Sequence, residues 1–176
     1  MKKNETIISI KPRKDIDKDE WDGAIIFIEE STIALNVDFI ENKLILNVLD
    51  VEDSNAYGAF SDEDALKVKH FIDSLLDTKK ESEMIEILCS CEAGMSRSTA
   101  VAASLLLYLN GPDKDIEPIW DNHRFHPNRL IFKKLNAILD PQTALTSIEI
   151  DKRIQINRDA LSREIRLRKK KSFDKR

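Results

Sequence analysis

Cys91-Glu92-Ala93-Gly94-Met95-Ser96-Arg97-Ser98 stands between two contrasting runs. Before it comes Ile85-Glu86-Ile87-Leu88-Cys89, apolar and β-branched enough for a buried strand. After it comes Thr99-Ala100-Val101-Ala102-Ala103-Ser104-Leu105-Leu106-Leu107, small and helix-forming. A thiol therefore falls where a strand hands over to a helix. A helix N-terminus presents free N–H groups and the positive end of the macrodipole, which bind anions and favour a thiolate over a thiol. Gly94 can adopt the positive φ that turns the N–H groups of a short loop inward. Arg97 offers a planar fork for two oxygens of one anion, and Ser98 puts a hydroxyl near the sulfur. The eight residues read as an anion cradle with a thiolate at its floor.

Working outward, short apolar runs predict strands at residues 6–10, 24–28, 33–37 and 44–49, besides 85–89. The charged stretch from Lys11 to Asp22 suits a surface loop or helical turn. Ser61-Asp62-Glu63-Asp64 carries an N-cap signature, and Ala65, Val68, Phe71, Ile72, Leu75 and Leu76 recur at helical spacing through residue 77. The helix after the cradle should stop at Asn110-Gly111-Pro112. Pro127-Asn128 opens another, with Leu130, Ile131, Leu135, Ile138 and Leu139 as its apolar stripe up to Pro141. Strands first, then a strand between helices, predict an α/β domain with a central, largely parallel twisted sheet flanked by helices.

At 176 residues the chain is long enough for one domain with a tail. We place the domain at residues 1–142 and a basic extension, expected to be helical, at 143–176. Charge divides accordingly: residues 152–176 hold 11 Lys/Arg against 3 Asp/Glu, net +8, whereas residues 1–151 sum to −12. Two cysteines one residue apart build no disulfide framework, the first residues lack a hydrophobic signal core, and no run approaches a membrane span. A reducing cytoplasm is the expected setting, with no membrane partner.

Ser90-Cys91-Glu92-Ala93-Gly94-Met95-Ser96-Arg97-Ser98 resembles the His-Cys-x5-Arg-Ser/Thr signature of the cysteine-dependent protein tyrosine phosphatases. The likeness is nearest to the short dual-specificity-like and prokaryotic or phage members. Leu49-Asp50-Val51 resembles the stretch that carries the family's general acid. Phe60-Ser61-Asp62-Glu63-Asp64-Ala65 is similar to the start of the helix before the signature, and His126-Pro127-Asn128-Arg129 to a Pro-Asn motif of the small bacterial members. The resemblance spans about residues 20–140. It implies a nucleophile at Cys91, and a phosphoryl group bound by Arg97 and the loop Glu92, Ala93, Gly94, Met95 and Ser96. It further implies that Ser98 assists departure of the thiolate, that Asp50 is the general acid, and that no metal or cofactor takes part. Asp53 is the alternative acid, while Asp62 reads as part of a helix N-terminus. One departure stands out: Ser90 replaces the family's His and supplies no positive charge, which leaves more of the burden on the loop amides and Arg97.

The expected substrate is a phosphate monoester on a protein, at tyrosine or at serine or threonine. Two alternatives stand beside it: a phosphoryl-binding module without turnover, and an RNA 5′-phosphatase or nucleic-acid-associated protein that uses the basic tail. That tail can equally hold a phosphoprotein or the chain's own acidic body, or form a solvated helix face with pairs such as Asp159 with Arg163. Cys89 reads as core. Cys89, Cys91, His123 and His126 could be counted as a zinc set, but Cys-x-Cys is tighter than usual zinc spacing and the cradle would go unexplained. His123 and His126 read as surface-loop residues near the cleft rim. Asn128 reads as a helix cap, and Trp21, Trp120 and Phe125 as packing residues.

Overall fold

A computed structural model of the chain describes residues 6–16, 21, 23–30, 40–78, 83–111, 124–139, 151–152, 155–156, 158–160 and 162–167. The apolar runs form strands β1 (Thr6–Pro12), β2 (Ala24–Glu29), β3 (Lys43–Asn47) and β4 (Ile85–Cys91). They lie in one sheet in the order β1-β4-β2-β3, and every pairing is parallel. The expected strand at 33–37 falls outside the described residues. A 3-10 turn at Arg13–Asp15 follows β1 directly.

β2 is buried along its whole length, as befits a parallel strand covered on both faces. Its side chains alternate between two cores. Ile26 and Ile28 join Ile85, Ile87, Cys89 and Cys91 in the larger one; Ile25 and Phe27 join Leu88 and Ile40 in the smaller, against which Ile16 and Trp21 pack. Helices α1 (Asp62–Thr78), α2 (Arg97–Asn110) and α3 (Arg129–Leu139) supply most of the rest of the larger core, which Ala24, Leu46, Val48 and Phe60 also join. α3 packs on α1 and α2, and α2 lies against β1 and β4.

The helix ends follow from their sequences. Ser61 Oγ accepts the Asp64 N–H at 3.1 Å while Asp64 Oδ2 accepts the Ser61 N–H at 3.0 Å, a reciprocal cap that opens α1. Gly111, with φ of +83°, ends α2 by donating its N–H to the Leu107 carbonyl. Asn128 caps α3, its Oδ1 accepting the Ile131 N–H at 3.0 Å. A buried hydrogen bond of 3.2 Å from Asn136 Nδ2 to Ser104 Oγ ties α3 to α2.

The described residues between 151 and 167 are helical, as expected for the extension; the boundary at 142 lies outside the described residues. This segment is fastened to the body. Asp151 pairs with Lys133 at 2.9 Å and Arg129 at 3.4 Å, and the Arg158 guanidinium takes both oxygens of Glu52. Arg163 reaches the main-chain oxygen of Asp159, whose carboxylate is instead taken by Gln155, so the expected ion pair does not form. Among the described residues no helix is long and apolar enough to cross a membrane.

Candidate active site

Parallel strands gather their carboxyl ends on one side of a sheet, where ligands of α/β folds bind. β4 is an inner strand, and its last residue, Cys91, lies in register between Pro12 of β1 and Ile28 of β2. The chain then turns through residues 92–96 into α2, so the strand-loop-helix handover expected from the sequence is present. Gly94 makes the turn with φ of +65°, and its Cα faces the backbone of β1: a Cβ there would stand 2.6 Å from the Pro12 nitrogen. Only a glycine lets the loop sit this close.

Cys91 is buried, with Sγ 3.1 Å from Ser98 Oγ, a contact in which either atom can donate. The carbonyls on the far limb of the loop are taken up by residues 126–128 and by α2. Met95 O accepts the His126 N–H at 2.8 Å, and Ser96 O accepts the Asn128 N–H at 3.3 Å. Thr99 Oγ1 donates to both carbonyls as well. In a trans peptide the C=O and the following N–H point in opposite directions. The N–H groups of Ser96 and Arg97 are therefore turned away from residues 126–128. Ser96, the N-cap of α2, makes no side-chain cap bond. The start of α2 thus keeps its uncapped positive end, with no acidic residue in its first turn.

Arg97 is 4% exposed and held at two points. One terminal nitrogen donates to the Val48 carbonyl at 2.9 Å, and the other lies 3.1 Å from the Glu30 carboxylate. Its Nε is buried and has no hydrogen-bond partner among the described residues. A buried donor of this kind is costly unless an acceptor meets it. The fork is thus braced from behind, with a donor left for an anion.

Asp50 comes to the rim of the same loop. Its Oδ1 accepts a 2.8 Å hydrogen bond from Ser96 Oγ and another of 2.8 Å from Asn128 Nδ2, which also donates to the Val51 carbonyl at 3.1 Å. Asp53 is used differently: its carboxylate accepts the Asn55 N–H at 2.9 Å within its own turn. Asp62 sits in the first turn of α1, paired with Lys134 at 2.8 Å. Of the three acids considered from sequence, Asp50 is the one hydrogen-bonded to the cradle.

Residues that the sequence did not single out complete the surroundings. Glu52, two residues beyond Asp50, accepts the Arg129 N–H at 3.1 Å besides the Arg158 guanidinium. Partial burial pushes its carboxyl up, but hydrogen bonds and charge from Arg158 and Arg129 outweigh this and hold it below the ordinary value. Glu29 and Arg13 pair at 2.5 Å beside the cradle. Burial raises the Glu29 carboxyl above its usual range despite the nearby Arg13 and Arg97, and Glu92 adds to the rise. Cys89 lies in the core with a thiol that burial, helped by the neighbouring Cys91, pushes far up. Phe125 packs against the same core, while His123 and Trp120 lie outside the described residues. Ser90 Oγ is buried without a partner among the described residues.

No family model matches the sequence, and a search of curated proteins returns no match.

Proposed function

We propose that the chain is a phosphatase that hydrolyses phosphate monoesters, carried on protein side chains, through a cysteinyl-phosphate intermediate. One observation carries the reading: a thiol at the end of the inner strand β4, a Gly94-turned loop, the buried unpartnered Nε of Arg97 and the Asp50 carboxylate all meet on residues 91–98. The resemblance to cysteine-dependent phosphatases supports it from the sequence side.

In the first step the Cys91 thiolate attacks phosphorus in line. The S–P bond forms as the bond to the leaving oxygen breaks, and Asp50 gives that oxygen its proton. In the second step water attacks phosphorus and the Asp50 carboxylate takes its proton. The S–P bond breaks, inorganic phosphate departs, and the Ser98 hydroxyl donates a hydrogen bond to the departing sulfur across the 3.1 Å contact. Negative charge on the equatorial oxygens is met throughout by Arg97 and the loop amides, including those of Ser96 and Arg97. These donors are fixed before the reaction begins, so their reorganisation costs little. Ser90 offers a hydroxyl but no charge behind the thiolate.

A reducing compartment, in which Cys91 stays a thiol, suits this chemistry. Within the chain itself the extension reaches the body through Arg158, which pairs with Glu52. Salt-sensitive RNA binding that disappears on removal of residues 157–176 would favour the nucleic-acid reading instead.

The test is hydrolysis of an aryl phosphate in the presence of a metal chelator. Wild type should turn over, vanadate should inhibit, and Cys91→Ser should be inactive. Robust turnover by Cys91→Ser would overturn the proposal, and vanadate binding without turnover at any pH would leave a phosphoryl-binding module.

A further inference from the structure

We infer that Asn128 positions Asp50 for proton transfer and that the transferred proton sits on Asp50 Oδ2. The inference rests on the phosphatase reading above and goes beyond it in naming a residue and an atom.

A helix N-cap needs only an acceptor, and Ser or Asp supplies one as well as Asn does. Asn128 does more with its side chain, which is 1% exposed at the residue level and fully used. Oδ1 accepts the Ile131 N–H at 3.0 Å; one amide hydrogen goes to Asp50 Oδ1 at 2.8 Å and the other to the Val51 carbonyl at 3.1 Å. This arrangement fixes the amide orientation. Flipped, its oxygen would face the Asp50 carboxylate and the Val51 carbonyl, and its NH₂ would face the Ile131 N–H, so every contact would pair like with like.

The main chain of Asn128 holds the cradle at the same time, donating to the Ser96 carbonyl at 3.3 Å. Ser96 closes the triangle by donating its own hydroxyl to Asp50 Oδ1 at 2.8 Å. Cradle, acid and the start of α3 are thus bound pairwise, which sets the distance from the acid to anything seated in the cradle. Asp50 is otherwise solvent-exposed, and an unrestrained carboxylate there would sample several rotamers.

The two donors also divide the carboxyl. Both point at Oδ1, whose two lone pairs they occupy, so a proton on Oδ1 would displace one of them. Oδ2 receives neither and is the oxygen free to carry the proton to the leaving group and to take one from water.

Asn128→Ser tests this, because it keeps an N-cap acceptor and removes the amide donors. The assay is kcat and KM over a series of aryl phosphates graded in leaving-group basicity, with the vanadate inhibition constant alongside. A misplaced acid matters most where the leaving group needs a proton. The expected result is a loss of up to about 100-fold in kcat for the most basic leaving groups, shrinking toward none for nitrophenol-type ones. Vanadate affinity should stay within about twofold, and in an Asp50→Asn background Asn128→Ser should cost nothing further. Should Asn128→Ser not fold, Asn128→Asp, which also caps the helix, serves with the same readout. A loss equal for all leaving groups, or one additive with Asp50→Asn, overturns the inference while leaving the phosphatase standing. Absence of wild-type turnover overturns both.

Discussion

Replacing Gly94 with Ala perturbs the cradle without touching a group that reacts. At φ of +65° a residue with a Cβ sits in the left-handed region, which costs about 1–2 kcal/mol. The added carbon would stand 2.6 Å from the Pro12 nitrogen and 3.0 Å from both the Lys11 carbonyl carbon and the Pro12 Cδ. These are backbone and ring atoms of a strand paired in register with β4, so they cannot swing aside as a flexible side chain would. Overpacking of this kind costs about 1–3 kcal/mol, for a total of about 2–5 kcal/mol. The loop has one escape, to lift off Pro12, and that exchanges stability for a widened cradle. Two measurements therefore go together: the free energy of urea unfolding and the affinity for vanadate by calorimetry. Gly111→Ala is the comparison, since Gly111 has φ of +83° and, among the described residues other than its chain neighbours, no atom within 4 Å of the added carbon. It should cost only backbone strain, about 1–3 kcal/mol, and leave vanadate binding unchanged. A Gly94→Ala protein that unfolds within about 0.5 kcal/mol of wild type and binds vanadate as tightly would refute the close-approach argument.

Asp50→Asn should lower kcat for a basic leaving group by about 10²–10⁴-fold, the usual worth of a general acid, while Asp53→Asn leaves it nearly unchanged; equal effects would remove the distinction drawn from their hydrogen bonds. Ser98→Ala should slow the second step more than the first, so that acid-quenched enzyme carries trapped cysteinyl phosphate; no accumulation would deny Ser98 its part in thiolate departure. Because the Glu29 carboxyl is raised above its ordinary value of 4.5, the stability it contributes is present at acid pH and lost as pH rises through the raised value. Glu29→Gln should then be more stable than wild type near neutrality, by denaturation across pH, and the gain should vanish toward pH 4.5. Glu52 runs the other way: its depressed carboxyl contributes above pH 4.5 and ceases to as pH falls through the folded value. Acid or Arg158→Ala should release the C-terminal segment, seen as faster amide exchange over residues 158–167 with little change in Tm, as an exposed pair implies.

How far the sequence reached depended on the range of the interactions. The handover from β4 to α2 could be read because hydrophobic run, turn glycine and helix formers are neighbours in the chain. Ser61 with Asp64 and Gly111 with Leu107 are local in the same sense, and both end their helices where expected. Strand order was not legible: a short continuous apolar run says that a strand is buried, not that β4 will lie between β1 and β2. Asn128 shows the division within one side chain. Its Oδ1 serves a residue three positions on, and the cap was foreseen; its Nδ2 serves Asp50, 78 positions back, and that role was not. The bond from Arg158 to Glu52 spans 106 positions and left in the sequence only a charge imbalance between tail and body. Glu30 beside Arg97 left no local sign at all.

The order β1-β4-β2-β3 bears on how the chain is made. Synthesis delivers β1, β2 and β3 first, yet only β2 and β3 are neighbours among them. Until residues 85–91 leave the ribosome, β1 has no partner among the described strands and the edge of β2 that β4 will take is open. Such edges invite pairing with other chains. When β4 arrives it fills both vacancies at once and carries Cys91 into place in the same event. No shorter nascent chain can therefore hold a finished cradle, and a fragment ending before Cys91 should be prone to aggregate rather than be merely inactive.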